Sequence, residues 1–579
     1  MSPLSNGADA PSTAGKSRTA LLWAIGGLGL AGVFLWCLLV IPGTREAFPT
    51  GDGAVIELYT LQASRGWWEY GPYSRWGWHH PGPLFFYLVA PFYTAAHTQS
   101  LAINAASVAI NLFAVTAILW AVARHGSTTL AVSVTAFLAM YLWRMPPLLV
   151  SAWNPHTVLL PLAALIVSAS IAAAGRMSLL PLTIAMASFV SQTHIGLLLP
   201  AVFVTACALV AGMIAGPKAD HSGRGRWFWL GVSTLIGFIL WLPPIVEQVR
   251  HGANGNLAKI VRFFMTPDPA DPTAPFTQAL RVWADALLAP IGPSLHFAVG
   301  GLLAREAGTP MVALALLSVA LLIAAGWRTR RGTASGVAGG ATSGDAAGAA
   351  VDAWFCRICA LASLAALLAM AGVRQGYGDY MVAWINVIGL MNAAALAAWL
   401  FTFVFTLIAS RSRDAGGAHA TANVRIKWIV PVLTSICLIA VTVHGARDLE
   451  RLRAGRNGAR NGERGRGESV LVALRAFLVK AHVRRPMIRV AGTWDNAAAL
   501  VLQLQKRDQP VAVDDDALWL IGPQFAKDGT EDADLALADR SERQRISARE
   551  GDCMLIERHG LSLHVLLPSL REPIELTCE

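Results

Sequence analysis

The apolar residues of this chain arrive in runs of about 17 to 25, separated by short polar or Pro/Gly-rich stretches, and that is the length a helix needs to cross a bilayer. These runs constrain the fold more than any motif, because a backbone in lipid must satisfy its own hydrogen bonds and a helix does so within one segment. Composition agrees: 55% of the 579 residues are hydrophobic and 14% are charged, where a soluble domain carries about 25% charge. The expected architecture is a polytopic α-helical membrane protein of about eleven transmembrane helices, followed by a small extracytoplasmic α/β domain.

The runs lie near 21–41, 100–123, 128–148, 157–174, 177–192, 196–215, 227–244, 308–326, 355–373, 384–409 and 428–445. The first follows Lys16 and Arg18; without a small-x-small cleavage pattern before Arg45, it reads as an uncleaved span. The stretch 177–215 divides at Ser191-Gln192-Thr193-His194, a polar cluster that costs less at a membrane surface than in mid-bilayer. Residues 83–94 fit a further short or re-entrant helix.

With residues 1–17 as a cytoplasmic tail, the short connections on that side carry Arg124, Arg176, Lys218, Arg328 and Arg425, the bias the positive-inside rule requires. The net charge of +10 is therefore read as topology, and no nucleic-acid partner is expected. An odd number of spans divides the chain into a membrane domain at 18–446, a charged Gly-rich linker at 447–467 and an outer domain at 468–579. Long outer loops fall at 42–99 and 245–307, and 332–350 reads as a flexible cytoplasmic linker. The Ala/Gly/Arg-rich composition points to a bacterial plasma (inner) membrane, with the N-terminus cytoplasmic and the C-terminal domain periplasmic.

Polar and aromatic residues concentrate in the outer connections. Residues 50–83 hold Asp52, Glu57, Arg75, His79 and His80 among four tryptophans, and such a segment suits the membrane interface. Asp52 can be an N-cap of the helical pattern that follows it, or a carboxylate with chemistry of its own. Glu57 lies about 140° from it around an ideal helix. His79-His80-Pro81-Gly82-Pro83 fits phosphate or sugar hydrogen bonding, or a structural role, better than metal, since no carboxylate stands at metal-motif spacing. A divalent metal and any other cofactor are accordingly not expected.

Other outer edges add Asn154 and His156 in Trp-Asn-Pro-His, Gln192 and His194, and Arg374, Asp379 and Tyr380 in Arg-Gln-Gly-Tyr-Gly-Asp-Tyr. Arg144 at the end of a span needs to snorkel or to find an anion. Glu247, Asn256 and Arg262 lie on an amphipathic stretch suited to a lipid phosphate or to plain interfacial anchoring. The predicted topology puts all of these at one membrane face, where a single cavity can use them together.

This layout resembles the GT-C superfamily of polyprenyl-phosphate-sugar-dependent glycosyltransferases, in the branch of aminoarabinose transferases and protein O-mannosyltransferases. The likeness covers 18–445 in layout and is densest in 50–93, with weaker echoes in WNPH, SQTH, WLPP…EQ…GNL and GYGDY. It implies a donor of polyprenyl-phosphate-linked sugar, an extracytoplasmic acceptor (lipid, glycan or protein), and contact with membrane lipids. It also implies inversion in one displacement, with Asp52 as base. Arg75, His79, His80 or Arg374 would lie near the phosphate, and His194 and Asp379 would orient sugar hydroxyls. The family often shows an acidic pair in this loop; here Asp-Gly stands instead, with Glu57, the next acid, as the second catalytic candidate. A flippase for lipid-linked sugars and a noncatalytic envelope assembly protein are the competing readings.

In the outer domain a helix is expected near 468–483 and another at 495–506, with strands at 487–491, 510–513, 518–521 and 535–538 and a closing hairpin, 553–558 with 563–567, around His559-Gly560. Asp514-Asp515-Asp516 reads as a solvated turn, and no GxGxxG or GKS/T pattern supports nucleotide binding. Cys356 and Cys359 have CxxC spacing without a second pair, so they read as packing residues. Cys553 and Cys578 share a compartment where a disulfide is permitted. No feature of the sequence sets an oligomeric state.

Overall fold

The structure is a computed structural model and describes residues 13–44, 46–215, 224–266, 268–334, 343–412, 419–458, 464–542, 552–558 and 561–566. Among the described residues nine helices are long and apolar enough to cross a membrane: Ala20–Gly43, Leu101–His125, Asn154–Ala173, Ile195–Ile214, Arg226–Asn254, Thr309–Trp327, Ala346–Met370, Asp379–Phe405 and Ile429–Gly455. The expected spans at 128–148 and 177–192 are helices too, but shorter, at Thr128–Arg144 and Leu180–Thr193. Polar groups cut both short: the first ends at Arg144 and the Pro146-Pro147 turn, the second at Gln192-Thr193-His194.

The helix at 154–173 is wholly buried and forms the centre of the bundle with Leu101–His125. Its Ala and Ser positions let neighbouring backbones approach closely, which is how helices associate where lipid removes the hydrophobic drive. Peripheral spans instead turn Leu, Phe and Trp outward, as Phe228, Phe238, Leu316 and Phe401 do.

Between the first two long spans the chain builds three pieces at one end of the bundle. Gly51–Arg65 is a helix, 70–83 a small hairpin, and Leu84–Ala95 the short helix expected at 83–94. In the hairpin Tyr73 bridges His79, Ser74 N–H donates to the Trp78 carbonyl at 3.0 Å, and His80 N–H donates to the Pro72 carbonyl at 2.7 Å. Gly77 turns it with a φ of 76°, a conformation that costs a side-chain-bearing residue about 1 kcal/mol or more. The 245–307 connection is amphipathic as expected, with helices at Asn256–Met265 and Phe276–Leu288.

Two expected linkers are partly helical. Ser343–Met370 starts inside 332–350, and the helix His419–Gly458 runs through the first half of 447–467. The C-terminal domain has a five-stranded sheet of β1 (Pro486–Ala491), β2 (Ala512–Val513), β3 (Ala533–Asp539), β4 (Asp552–Arg558) and β5 (Leu561–Leu566), in the order β2-β1-β3-β5-β4. β1 pairs in parallel with β2 and β3, and β5 pairs antiparallel with β3 and β4. The crossover from β1 to β2 is the helix Trp494–Gln505.

Residues 518–521 are one helical turn, not a strand, because pairing with β1 stops at Val513 and Asp514 starts a turn. His559-Gly560 and Cys578 lie outside the described residues; Cys553 is disulfide-bonded. Of the aspartate run, Asp515 pairs with Lys527 at 2.9 Å. Among the described residues no group of three or more His, Cys, Asp or Glu is arranged to hold a metal ion.

The helix Trp494–Gln505 packs directly on Gly51–Arg65, which ties the C-terminal domain to the membrane domain. Lys506 is buried against buried Glu57 in an ion pair, Arg65 pairs with Asp508 at 2.5 Å, and Tyr59 donates its hydroxyl to the Leu520 carbonyl at 2.7 Å.

Candidate active site

Asp52 occupies the first turn of Gly51–Arg65, where its charge complements the positive end of the helix. It is not an N-cap. Thr50 holds the cap position without a side-chain bond, and both Asp52 oxygens face side chains from elsewhere. The Tyr73 hydroxyl donates to Oδ1, and the Trp153 indole N–H donates to Oδ2 at 2.7 Å. Gly51 enters the helix with a φ of 57°, which swings the Asp52 side chain toward the hairpin and Trp153. Burial and the adjacent carboxylate raise the Tyr73 phenol well above its usual range, so Tyr73 stays a donor.

Asp52, Trp153 and Trp494 line two cavities at once. The first, of about 600 Å³, is apolar over most of its wall, with Trp76, Trp78, Phe263, Phe264, Met370 and Trp384 prominent. Its polar groups come from five separate segments: Asp52; Arg75 and His80; Asn154; His194; and Arg374 with Tyr380. Arg75 stacks over Trp76 at 4.5 Å and has no acceptor among the described residues. The indole N–H groups of Trp76 and Trp78 are buried without a partner, as is Nδ1 of His194. Those three nitrogens are closed off from the cavity surface, whereas a guanidinium free at the edge of an apolar cavity is suited to an anion.

His80 and His194 stack at 5.3 Å. His80 Nδ1 accepts from the Ile195 N–H at 3.0 Å, so the neutral ring carries its proton on Nε2. Burial first, then the neighbouring histidines, pushes His80 far below the usual imidazole value. Tyr380 packs on Trp153 at 5.4 Å, and Asn154 Nδ2 reaches the Thr193 carbonyl at 3.4 Å.

Several predicted residues do not reach either cavity. His79 is buried behind the hairpin, bonded to the Tyr59 hydroxyl at 3.1 Å, and burial with nearby Lys259 lowers its pKa to about 3. Asn256 accepts from the His79 N–H at 2.7 Å and donates to its carbonyl at 2.9 Å, while Glu247 accepts the Asn256 N–H at 2.9 Å. These three lock the hairpin to the amphipathic helix. Gln192 donates to the Leu240 carbonyl at 2.8 Å, and His156 bonds Ser151 at 2.7 Å while packing behind Trp153.

Arg144 donates to the carbonyls of Pro290 and Gly292 at 2.7 and 2.6 Å, satisfying a helix end that would otherwise be bare. Asp379 is buried and accepts from the N–H groups of Val299 and Tyr380 at 3.2 and 2.7 Å, so it braces the loop beneath Tyr380. Arg262 lines a separate shallow cavity of about 360 Å³ with Lys259 and Arg374. Arg374 spans this one and the first, but its guanidinium already donates to the Phe263 and Thr266 carbonyls.

The second cavity, of about 530 Å³ and open to one side, is lined by Thr50, Asp52, Glu57, Ser100, Asn104, Trp153 and Trp494 among others. Glu57 lines this cavity with Asp52 but has different partners: its carboxylate accepts from Tyr93 at 2.9 Å and pairs with Lys506. It acts as a tether for the C-terminal domain. Sequence reasoning missed Tyr73 as the holder of Asp52, and missed Trp494 and Lys506. Tyr73 was detectable from its place in the aromatic loop, whereas nothing near Trp494 in sequence announces a contact some 440 residues away.

No family model and no curated protein matches the chain. Two solved structures are similar to it in layout. One is ArnT from Cupriavidus metallidurans bound to undecaprenyl phosphate, with 12% identity and a TM-score of 0.47, covering 94% of this chain and 98% of that one. The other is the same protein in the apo state, with 13% identity and a TM-score of 0.46, covering 97% and 100%. At this identity and score the likeness describes helix layout alone, and the functional argument rests on the groups of the site itself.

Proposed function

We propose that this protein is a membrane glycosyltransferase that moves a sugar from a polyprenyl-phosphate carrier to an acceptor on the outer face of the membrane. The observation that carries the reading is the position of Asp52, whose carboxylate is held by Tyr73 and Trp153 in the wall between an apolar cavity with anion donors and a second, open cavity.

The first cavity takes the donor. Its apolar wall receives the first isoprene units, and Arg75 with the polar groups beside it receives the phosphate. The acceptor enters from the second cavity. Its hydroxyl gives a proton to Asp52 as its oxygen bonds to the anomeric carbon, while the bond from that carbon to the phosphate oxygen breaks. The electron pair leaves with the polyprenyl phosphate, whose growing charge the same donors stabilise. Attack and departure from opposite faces give inversion. The site faces the periplasm in this reading, with the N-terminus cytoplasmic. That layout puts the outer domain and the cavities on one side of the membrane.

The test is reconstitution in liposomes with undecaprenyl-phosphate sugars and a membrane extract as acceptor. Release of undecaprenyl phosphate with an inverted glycoside product is expected. Movement of intact donor across the bilayer without cleavage would favour the flippase reading instead.

A further inference from the structure

The second cavity has a composition that selects its ligand. Its lining carries two carboxylates, Asp52 and Glu57, and among the described residues no Arg, Lys or His. Lys506 behind it is held in the ion pair with Glu57. Lys506 Nζ reaches lining Ser100 Oγ at 3.4 Å but is neutralised by Glu57, so a phosphate or carboxylate on the acceptor would meet the Asp52 charge with no unpaired cation in that lining to offset it. The remaining polar groups are neutral hydroxyl and amide side chains, Thr50, Ser100 and Asn104, beside two indoles, Trp153 and Trp494.

Trp494 comes from the outer domain, at the first turn of Trp494–Gln505. Residues Ala497–Leu504 of that helix are buried, whereas the Trp494 indole at its start is 41% exposed. It lies edge-on to Tyr73 at 6.2 Å, and its tip sits 3.8 Å from where a side chain on Gly51 would begin. A part-exposed indole in a cavity with hydroxyl and amide groups suits the C–H face of a sugar ring, because the negative face of an aromatic ring attracts polarised C–H groups.

We infer that the acceptor is an uncharged saccharide whose ring stacks on Trp494, so that the outer domain supplies the residue that orients the acceptor hydroxyl toward Asp52. This rests on the glycosyltransferase reading for the role of Asp52, but the binding claim stands separately. Trp494 is a positioning residue and touches no reacting atom.

The test uses the full chain in nanodiscs and ligand-detected saturation-transfer NMR with cellobiose, chitobiose and mannobiose, against glucose 6-phosphate and glucosamine 1-phosphate. At least one neutral disaccharide should bind through its ring C–H protons while the phosphorylated sugars do not. Trp494→Ala and Trp494→Leu should weaken that binding by about tenfold, and Trp494→Phe by no more than about threefold. Because Trp494 also borders the first cavity, undecaprenyl phosphate binding, followed by native mass spectrometry, should fall by no more than about threefold in all three variants, less than the saccharide binding does. Preference for the phosphorylated sugars, absence of disaccharide binding, or equal binding by wild type and Trp494→Leu overturns the inference. Loss of both ligands in Trp494→Leu assigns the indole to packing and overturns it as well. Failure of the wild-type protein to bind undecaprenyl phosphate removes the glycosyltransferase reading and leaves the saccharide result to stand or fall alone.

Discussion

Replacing Asp52 with Asn removes the charge while keeping the shape. The Asn carbonyl can still accept the Trp153 N–H, and its amide can donate to the Tyr73 oxygen, which turns from donor to acceptor. Two charge-assisted bonds, at about 1.5–3 kcal/mol each, become two neutral ones at about 0.5–1.5 kcal/mol each. Asp52 is partly open to the cavities, so solvent reduces the difference, and the folded state should lose only about 1–2 kcal/mol. Catalysis should lose far more. Without a proton acceptor the rate falls by about 10²–10⁴-fold, equivalent to roughly 3–5 kcal/mol in the barrier. The assay is single-turnover release of undecaprenyl phosphate from labelled donor, alongside thermal melting of the same sample. A variant that melts near the wild-type temperature and keeps its turnover within about threefold would refute Asp52 as the base.

Three further outcomes follow from the same contacts. Glu57→Gln leaves the buried Lys506 ammonium with Glu46 at 3.5 Å as its one carboxylate partner among the described residues, beside Ser100 Oγ at 3.4 Å, a change that costs about 3 kcal/mol, the low end for a broken buried pair. Amide exchange in the helix Trp494–Gln505 should speed up, and Glu57→Gln with Lys506→Met should slow it again; unchanged protection in the single variant would mean that the pair is no tether. The folded-state values of His79, about 3, and His80 both lie below the imidazole value of 6.5. The unfolded chain therefore binds more protons below pH 6.5, and their contribution is complete above that pH and lost as pH falls from 6.5 toward 3. Melting between pH 7.5 and 5 should show a slope of up to about 1.4 kcal/mol per unit for each ring, and His79→Gln should flatten it; an equally steep slope in that variant would contradict a buried neutral His79. Arg75→Gln should weaken undecaprenyl phosphate binding by about 10- to 100-fold in native mass spectrometry, and an unchanged affinity would move the phosphate elsewhere.

The sequence by itself determined the helical membrane fold, because the length of an apolar run is a local property and lipid admits few other ways to satisfy a backbone. It determined the α/β character of the outer domain from strand and helix periodicity, and it brought Asp52, Arg75, His80, Asn154, His194, Arg374 and Tyr380 forward as chemically able groups near span ends. Tertiary structure decided what each of them faces. His79, Asn256 and Glu247 carry the same functional groups as their neighbours, yet they bond to one another and lock the hairpin. Arg144 and Arg374 donate to helix-end carbonyls, partners that exist only once distant segments have packed. Glu57 looked like a second catalytic acid until Lys506, from the outer domain, was found against it. Such pairings join residues hundreds of positions apart, and no periodicity or spacing encodes them. The division of one site into two cavities, with Asp52 between them, is therefore a property of the assembled fold.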